Sequence, residues 1–325
     1  MPTYTGISSE AFTHPLDRQA EQALRSVPGF DLIARKFLEF VAERPQYVYH
    51  KANSIEVGPR QYSSVYHIFR ECVHDLDVYP EPNLFVSQNP QVNAFALGQE
   101  RPQIILNSAL LDMLNEAELK GVIAHELGHI KCNHTTLSQM AIWAMQAIFL
   151  IGNMTFGIST LVTTGLILAF YEWKRKSELS ADRASLLVTD NLNTTVSMLM
   201  KMAGGSQRYM NEISLDEFIR QSSEYQELDQ DGLNQVYKFL LYYSGQYGFF
   251  SHPFGVERVH HLREWFNSSE YSNIRNGNYP RNPAQGAVNV ESENPANSAD
   301  DTEELRRQIS DLQAEIDRMR NQSQP

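Results

Sequence analysis

The run His125-Glu126-Leu127-Gly128-His129 offers a metal ion two imidazoles and a carboxylate within five residues. On a helix, residues four apart lie about 40° from one another around the axis, so both rings can reach one ion. Glu126 follows His125 by about 100° of rotation. Its carboxylate then sits beside the metal, where a general base for a water molecule belongs. Such a charged triplet on a helix with apolar neighbours is costly to bury unless a metal or partners satisfy it. The pattern predicts a zinc site suited to water activation.

A catalytic zinc needs a third protein ligand and one open position. A third histidine six residues after His129 would complete one common pattern, but that position is Thr135. His134 comes nine residues after His125, which on a continued helix is the opposite side, so it is expected at the surface or in packing. The third ligand must come from elsewhere, and Glu178 is the best candidate. In Glu178-Leu179-Ser180-Ala181-Asp182 two carboxylates lie one helical turn apart on one face. One can bind metal while the other accepts a hydrogen bond from a ligand imidazole. Asp182 and Glu172 are the alternatives for the third ligand.

These residues need elements to hold them. Glu116 to Lys131 has helical spacing, with Leu119, Val122, Ile123, Leu127 and Ile130 on one broad face. Ahead of it, Leu84-Phe85-Val86, Val92 to Gly98 and Gln103 to Asn107 predict a small sheet, and Tyr47 to His50 is short and β-rich. Pro15 to Ala42 is helical with a break at Pro28-Gly29, and Tyr62 to Leu76 is helical again. Thr135 to Tyr171 carries no charge and holds two apolar segments, Ile142 to Ile151 and Ile158 to Phe170. Each is shorter than the roughly 20 residues of a membrane-spanning helix. They read as buried helices or as a hairpin dipping into a bilayer, with Lys131 and Lys174 to Lys176 keeping both ends cytoplasmic. Helices follow over Ser177 to Thr189, Thr194 to Met202, Asn234 to Tyr243 and Val256 to Phe266, with a polar, acidic connection from Asp216 to Asp231.

The expected fold class is α+β, a mostly helical domain with a small β-sheet ahead of the helix of His125 and His129. The expected organisation is a helical lead-in over 1–59, a catalytic domain over 60–275, a disordered linker over 276–302 and a short coiled-coil-like helix over 303–325. The linker is rich in Asn, Pro, Gly, Ser and acids. In the last helix, Leu305, Ile309, Leu312, Ile316 and Met319 alternate at four and three, a seam through which 303–320 would self-associate.

With 27 basic and 39 acidic residues among 325, the net charge of −12 disfavours a nucleic-acid partner. Cys72 and Cys132, the two cysteines, are too few for a disulfide framework and read as buried thiols. Met1 to Arg18 has no basic stretch followed by an apolar run, so no signal peptide and a cytoplasmic location are expected.

Four separated stretches agree in order with one family. Asn93-Ala94-Phe95-Ala96-Leu97-Gly98, the helix Glu118 to Ile130, Glu178 to Asp182, and Ser251-His252-Pro253 with Glu257-Arg258 resemble the HtpX-type and CAAX-prenyl-protease-type zinc metallopeptidases, which are gluzincins. The resemblance covers roughly residues 60–268. It implies that His125, His129 and Glu178 bind one Zn2+ per chain, that Glu126 is the catalytic base and that Asp182 supports a ligand. It further implies that Asn93, Ala94, Phe95 and Ala96 form the edge strand on which peptide lies, that His252 stabilises the oxyanion and that Arg258 supports it. Phe254 stands where many relatives have a second proline.

The activity implied is hydrolysis of unfolded or extended polypeptide by Glu126-activated, zinc-bound water, in protein quality control. One competing reading is a membrane-associated protease of the same family, in contact with the bilayer through 136–171 and acting on membrane proteins. Another is a latent peptide-binding scaffold assembled through its C-terminal helix. The presence of Glu126, which a scaffold does not need, favours the enzyme.

Overall fold

The computed structural model describes residues 3–27, 29–31, 34, 37, 43–141, 160–229 and 255–282. The chain divides into two units, Met1–Asn282 and Pro283–Pro325, the second lying wholly outside the described residues.

Helix α1 is Pro15–Ser26, with proline in its first turn and His14 as N-cap, the ring Nδ1 accepting the Leu16 N–H at 3.1 Å. Helix α2 is Glu43–Asn53, and the strand expected at Tyr47 to His50 lies inside it. Tyr47 and His50 are three apart, one helical turn, and both rings lie against Phe85. Strand β1 is Ile55–Glu56 and helix α3 is Ser63–Leu76. Strands β2, Asn83–Ser87, β3, Ala94–Leu97, and β4, Gln103–Asn107, follow close to their expected places.

Among the described residues the sheet has the order β1-β2-β4-β3, with β2 and β4 parallel and the outer pairs antiparallel. Alternation along the strands sends Leu84, Val86, Ile104 and Leu106 into the main core. Phe85 and Phe95 instead meet His50 of α2. Thus the sheet is covered on both faces, and β3 is its edge beside the helix that carries His125 and His129.

That helix, α5, is Glu116–Lys131 and follows a short helix α4, Ser108–Met113. Its start is fixed by a capping box between Asn115 and Glu118. Glu118 also receives Ser197 and Lys201, each at 2.7 Å, which ties this end to helix α7, Leu192–Gly204. Between them runs helix α6, Thr160–Thr189, continuous through the start expected at Ser177. Phe170 and Trp173 bury one side of its first half in an apolar cluster with Leu24, Phe30 and Phe37, so packing extends the helix upstream. The acidic stretch after Asp216 is helix α8, Leu215–Asp229, rather than a connection. Phe218 and Ser222, four apart and both buried, put one face of it against the domain. Helices α9, Gly255–Phe266, and α10, Ser269–Arg275, complete the described chain, whose end returns to its beginning. Ile7 pairs with Arg281, and the Ser8 N–H bonds to the Pro280 carbonyl at 2.9 Å.

Helices α5 and α6 form the most extensive helix pair. Gly128 permits it: a methyl group there would lie 2.7 Å from Cβ of Ala184 and 3.1 Å from Cα of Ala181. The same glycine sits between the two histidines of α5, so the close approach falls where α6 must deliver Glu178.

Candidate active site

His125, His129 and Glu178 meet at the α5–α6 contact, all buried, with potential ligand atoms within 4.8 Å of one another. Nε2 of His125 is 3.3 Å from Oε2 of Glu178, and Nε2 of His129 is 3.4 Å from its Oε1. A tetrahedral ion with bonds of about 2.0–2.1 Å separates its ligand atoms by about 3.3–3.4 Å, so the donors match zinc in type and spacing. The buried charges fit as well. Glu126, Glu178 and Asp182 face Arg258, every one of them at most 4% exposed. Three carboxylates against the Arg258 guanidinium and the Lys174 ammonium leave a net negative charge for a cation to balance.

Asp182 lies one turn below Glu178 on α6, and its Oδ1 accepts Nδ1–H of His125 at 3.0 Å. That bond leaves Nε2 of His125 with its lone pair toward the metal position. Burial pushes the Asp182 carboxyl up, but Arg258 and His125 outweigh it and hold it below the usual carboxylate range. Burial likewise pushes His125 down, yet without an ion bonds to Asp182 and Glu178 raise it to about 9, so a metal that takes Nε2 must displace that proton. His129 is driven well down by burial and by Lys174, and so is held neutral, the form a metal needs. Lys174, a quarter exposed at the rim, donates to Oε1 of Glu178 at 3.0 Å.

Arg258 reaches this group from α9. Its Nε donates to Oδ2 of Asp182 at 2.7 Å, a second nitrogen donates to Oδ1, and a third is 3.3 Å from Glu178. The structure therefore sets Arg258 against the two carboxylates of α6. His252 lies outside the described residues, so the expected pairing of the two does as well. Glu126 is buried at 1% exposure on α5 next to His125. Asn93 to Ala96 begin and line the edge strand β3, which packs beside α5. Glu172, an alternative third ligand, is bound to Arg175 at 2.7 Å instead.

His134 departs from its expected place. Helix α5 ends at Lys131, Cys132 caps it and Asn133 takes the left-handed conformation at φ 60°, a turn that asparagine tolerates. The chain reverses and His134, 2% exposed, folds back onto His129. The two Nδ1 atoms are 2.9 Å apart, and His134 also packs edge-on against Trp173. Its Nε2 is 3.0 Å from Oδ2 of Asp17 on α1. Burial pushes the Asp17 carboxyl up, but His134 and Ser180 overcome this and hold it down. Asp17 and Ser180 gave no signal in the sequence beyond ordinary helix residues, and only the left-handed turn at Asn133 could have redirected His134.

A helical domain with a small mixed sheet, a His-Glu-x-x-His helix and a distal glutamate is the architecture of a metal-dependent protease. Residues 59–266, more than half of the chain, match peptidase family M48. The chain is 30% identical over 279 residues to the plastoglobule-localized metallopeptidase 48, chloroplastic, of Arabidopsis thaliana, covering 83% of this chain and 76% of that one. A protease HtpX homolog of Dictyoglomus turgidum is 31% identical over 184 residues, 52% of this chain and 56% of that one. Another, from Streptococcus uberis, is 28% identical over 153 residues, 46% and 47% of the two chains. The chain thus spans about half the length of these two HtpX homologs. It belongs to peptidase family M48 and is a metalloprotease.

Proposed function

We propose that the protein is a zinc metalloendopeptidase in which His125, His129 and Glu178 hold one Zn2+ and Glu126 is the general base. The observation that carries this reading is the convergence of three buried donors, two on the helix that also presents Glu126 and one on α6, with each histidine 3.3–3.4 Å from Glu178. When bound, zinc supplies Lewis acidity and lowers the pKa of water to about 7. Glu126 accepts a proton from the attacking water and returns it to the leaving amine. Asp182, locked by Arg258, keeps His125 in the required tautomer. Asn93 to Ala96 pair with extended substrate by main-chain hydrogen bonds, and His252 donates to the developing oxyanion, a contact worth roughly 3–4 kcal/mol in other proteases.

An edge strand selects unfolded or extended polypeptide, which suits protein quality control. Within 136–171, residues 142–159 lie outside those described, and only the flanks support the packed reading over contact with a bilayer. Leu137, Met140, Leu166 and Phe170 are buried with Trp173, and no described helix is long and apolar enough to cross a membrane. Self-association through 303–320 rests on the sequence pattern alone, in residues outside those described. The proposed location is cytoplasmic, whereas one relative's name places that protein at plastoglobules.

Glu126→Gln tests the assignment. It should abolish peptide cleavage while zinc content stays near one per chain, because the base is lost and the three ligands remain. Zinc content that falls in step with activity would make Glu126 a ligand and overturn the reading.

A further inference from the structure

The second histidine is supported by Asp17 and His134, which belong to none of the four stretches resembling the family. Asp17, His134 and His129 form a buried line in which His134 bridges the other two, at 3.0 Å and 2.9 Å. Ser180, two residues after Glu178, donates its hydroxyl hydrogen to the same oxygen of Asp17 and accepts the His14 backbone N–H at 2.9 Å. All four side chains, Asp17, His129, His134 and Ser180, are at most 4% exposed.

The protons along this line can be counted. A metal at Nε2 of His129 requires the lone pair there, which puts the proton on Nδ1. That proton points at Nδ1 of His134, which must accept it, so His134 carries its own proton on Nε2. Asp17, as a carboxylate, accepts the proton from Nε2. Every donor then meets an acceptor, with donation running in one direction, from His129 through His134 to Asp17. The reverse assignment would place two N–H groups or two lone pairs against one another in a buried site, at the full cost of unsatisfied polar groups.

We propose that Asp17 and His134 are positioning residues for His129, and that the N-terminal helix Pro15–Ser26 thereby completes the metal site. The inference rests on the proposed role of His129 as a ligand. It gives the N-terminal segment a function in the chemistry. The helix is docked by Leu24 in the cluster with Trp173, and by Asp17 and the His14 backbone on Ser180. If docking tightens metal binding by some factor, metal tightens docking by the same factor, since the linkage is reciprocal. A partner that captured this segment would loosen the metal.

The experiment measures the zinc dissociation constant by chelator competition on the full chain and on Asp17→Asn, His134→Phe, the double variant, His134→Gln and Glu178→Ala. Asp17→Asn and His134→Phe should each weaken zinc binding 10- to 100-fold. The double variant should be no weaker than the worse single variant, because both cut one line. His134→Gln, which can accept from His129 and donate to Asp17, should recover part of the loss. Hydrogen exchange gives a second readout: zinc should slow exchange over 15–26 in the wild type and fail to do so in His134→Phe.

Unchanged zinc affinity in Asp17→Asn and His134→Phe overturns the proposal, as does lowered metal-free stability with zinc affinity of the folded protein intact. Glu178→Ala separates the two readings. If it loses zinc while Asp17→Asn and His134→Phe keep it, only the present inference fails. If it too keeps zinc, the proposed metal site fails with it.

Discussion

The two histidines on α5 are held by unlike means. Behind His125 stands a charged pair, Asp182 gripped by Arg258 through two hydrogen bonds. Behind His129 stands a neutral imidazole, His134, with its counter-charge one step further away on Asp17. The first support is built from α6 and α9. The second comes from the turn after α5 and from α1, at the opposite end of the chain. The difference teaches that one half of the site is fixed by the same helix that supplies Glu178. The other half depends on docking an N-terminal segment, which can be disturbed separately.

Removing what the two halves share should have the largest effect. Glu178 lies within 3.4 Å of both imidazoles, and without it two histidines remain on a site that needs three protein ligands. Glu178→Ala should abolish cleavage and bring zinc content, measured by atomic emission after dialysis, far below one per chain. Near-stoichiometric zinc would move the third ligand to Asp182, since Glu172 is engaged by Arg175.

The next largest effect should separate the halves by charge. Arg258→Ala leaves Asp182 and Glu178 buried without their guanidinium, and breaking a buried ion pair on one side costs roughly 3–5 kcal/mol. Chemical denaturation of the metal-free protein should report that loss. The neutral support predicts a smaller one for His134→Phe, which removes no formal charge. Equal losses would show that the charged half is no more tightly coupled to folding than the neutral half.

The carboxylates of the charged half were legible in the sequence, whereas Arg258 was expected to support His252 and the neutral half gave no signal. Glu178 and Asp182 are one helical turn apart, so a shared face follows from local geometry alone. Helix α5 spans the residues that its apolar spacing indicated, and the structure shows its start fixed by the capping box of Asn115 and Glu118. His134 was misplaced because counting from His125 assumes an unbroken helix, and the reversal at Asn133 is a tertiary choice. Asp17 contacts it across more than a hundred residues, and nothing local marks a single buried aspartate on an amphipathic helix. Tyr47 to His50 misled for a related reason: aromatic and β-branched residues favour strands, but burial against Phe85 prevailed. Gly128 was visible only as a spacer residue, although the approach of α6 requires it.

The smallest effect distinguishes the halves by pH. His14 caps α1 through Nδ1, and its backbone N–H anchors the helix to Ser180. Burial holds it down to about 3, with Arg183, His261 and Lys176 acting the same way and Asp17 opposing them. The folded value is therefore below the unfolded value of about 6.5. The unfolded segment binds the proton more readily, so the contribution of His14 is fully present above about pH 6.5 and is lost as pH falls toward about 3. Asp17, also held below its ordinary value, adds a loss that begins only near pH 4 and below. Hydrogen exchange of the metal-free protein should accordingly quicken over residues 15–26 between pH 6.5 and 4, while the α5 amides near His125, sheltered by Asp182 and Arg258, change less. His14→Gln should flatten this upper part of the profile and leave the part below pH 4. Parallel quickening in both regions would mean that acid loosens the domain as one body, and that the N-terminal docking is no separate element of the site.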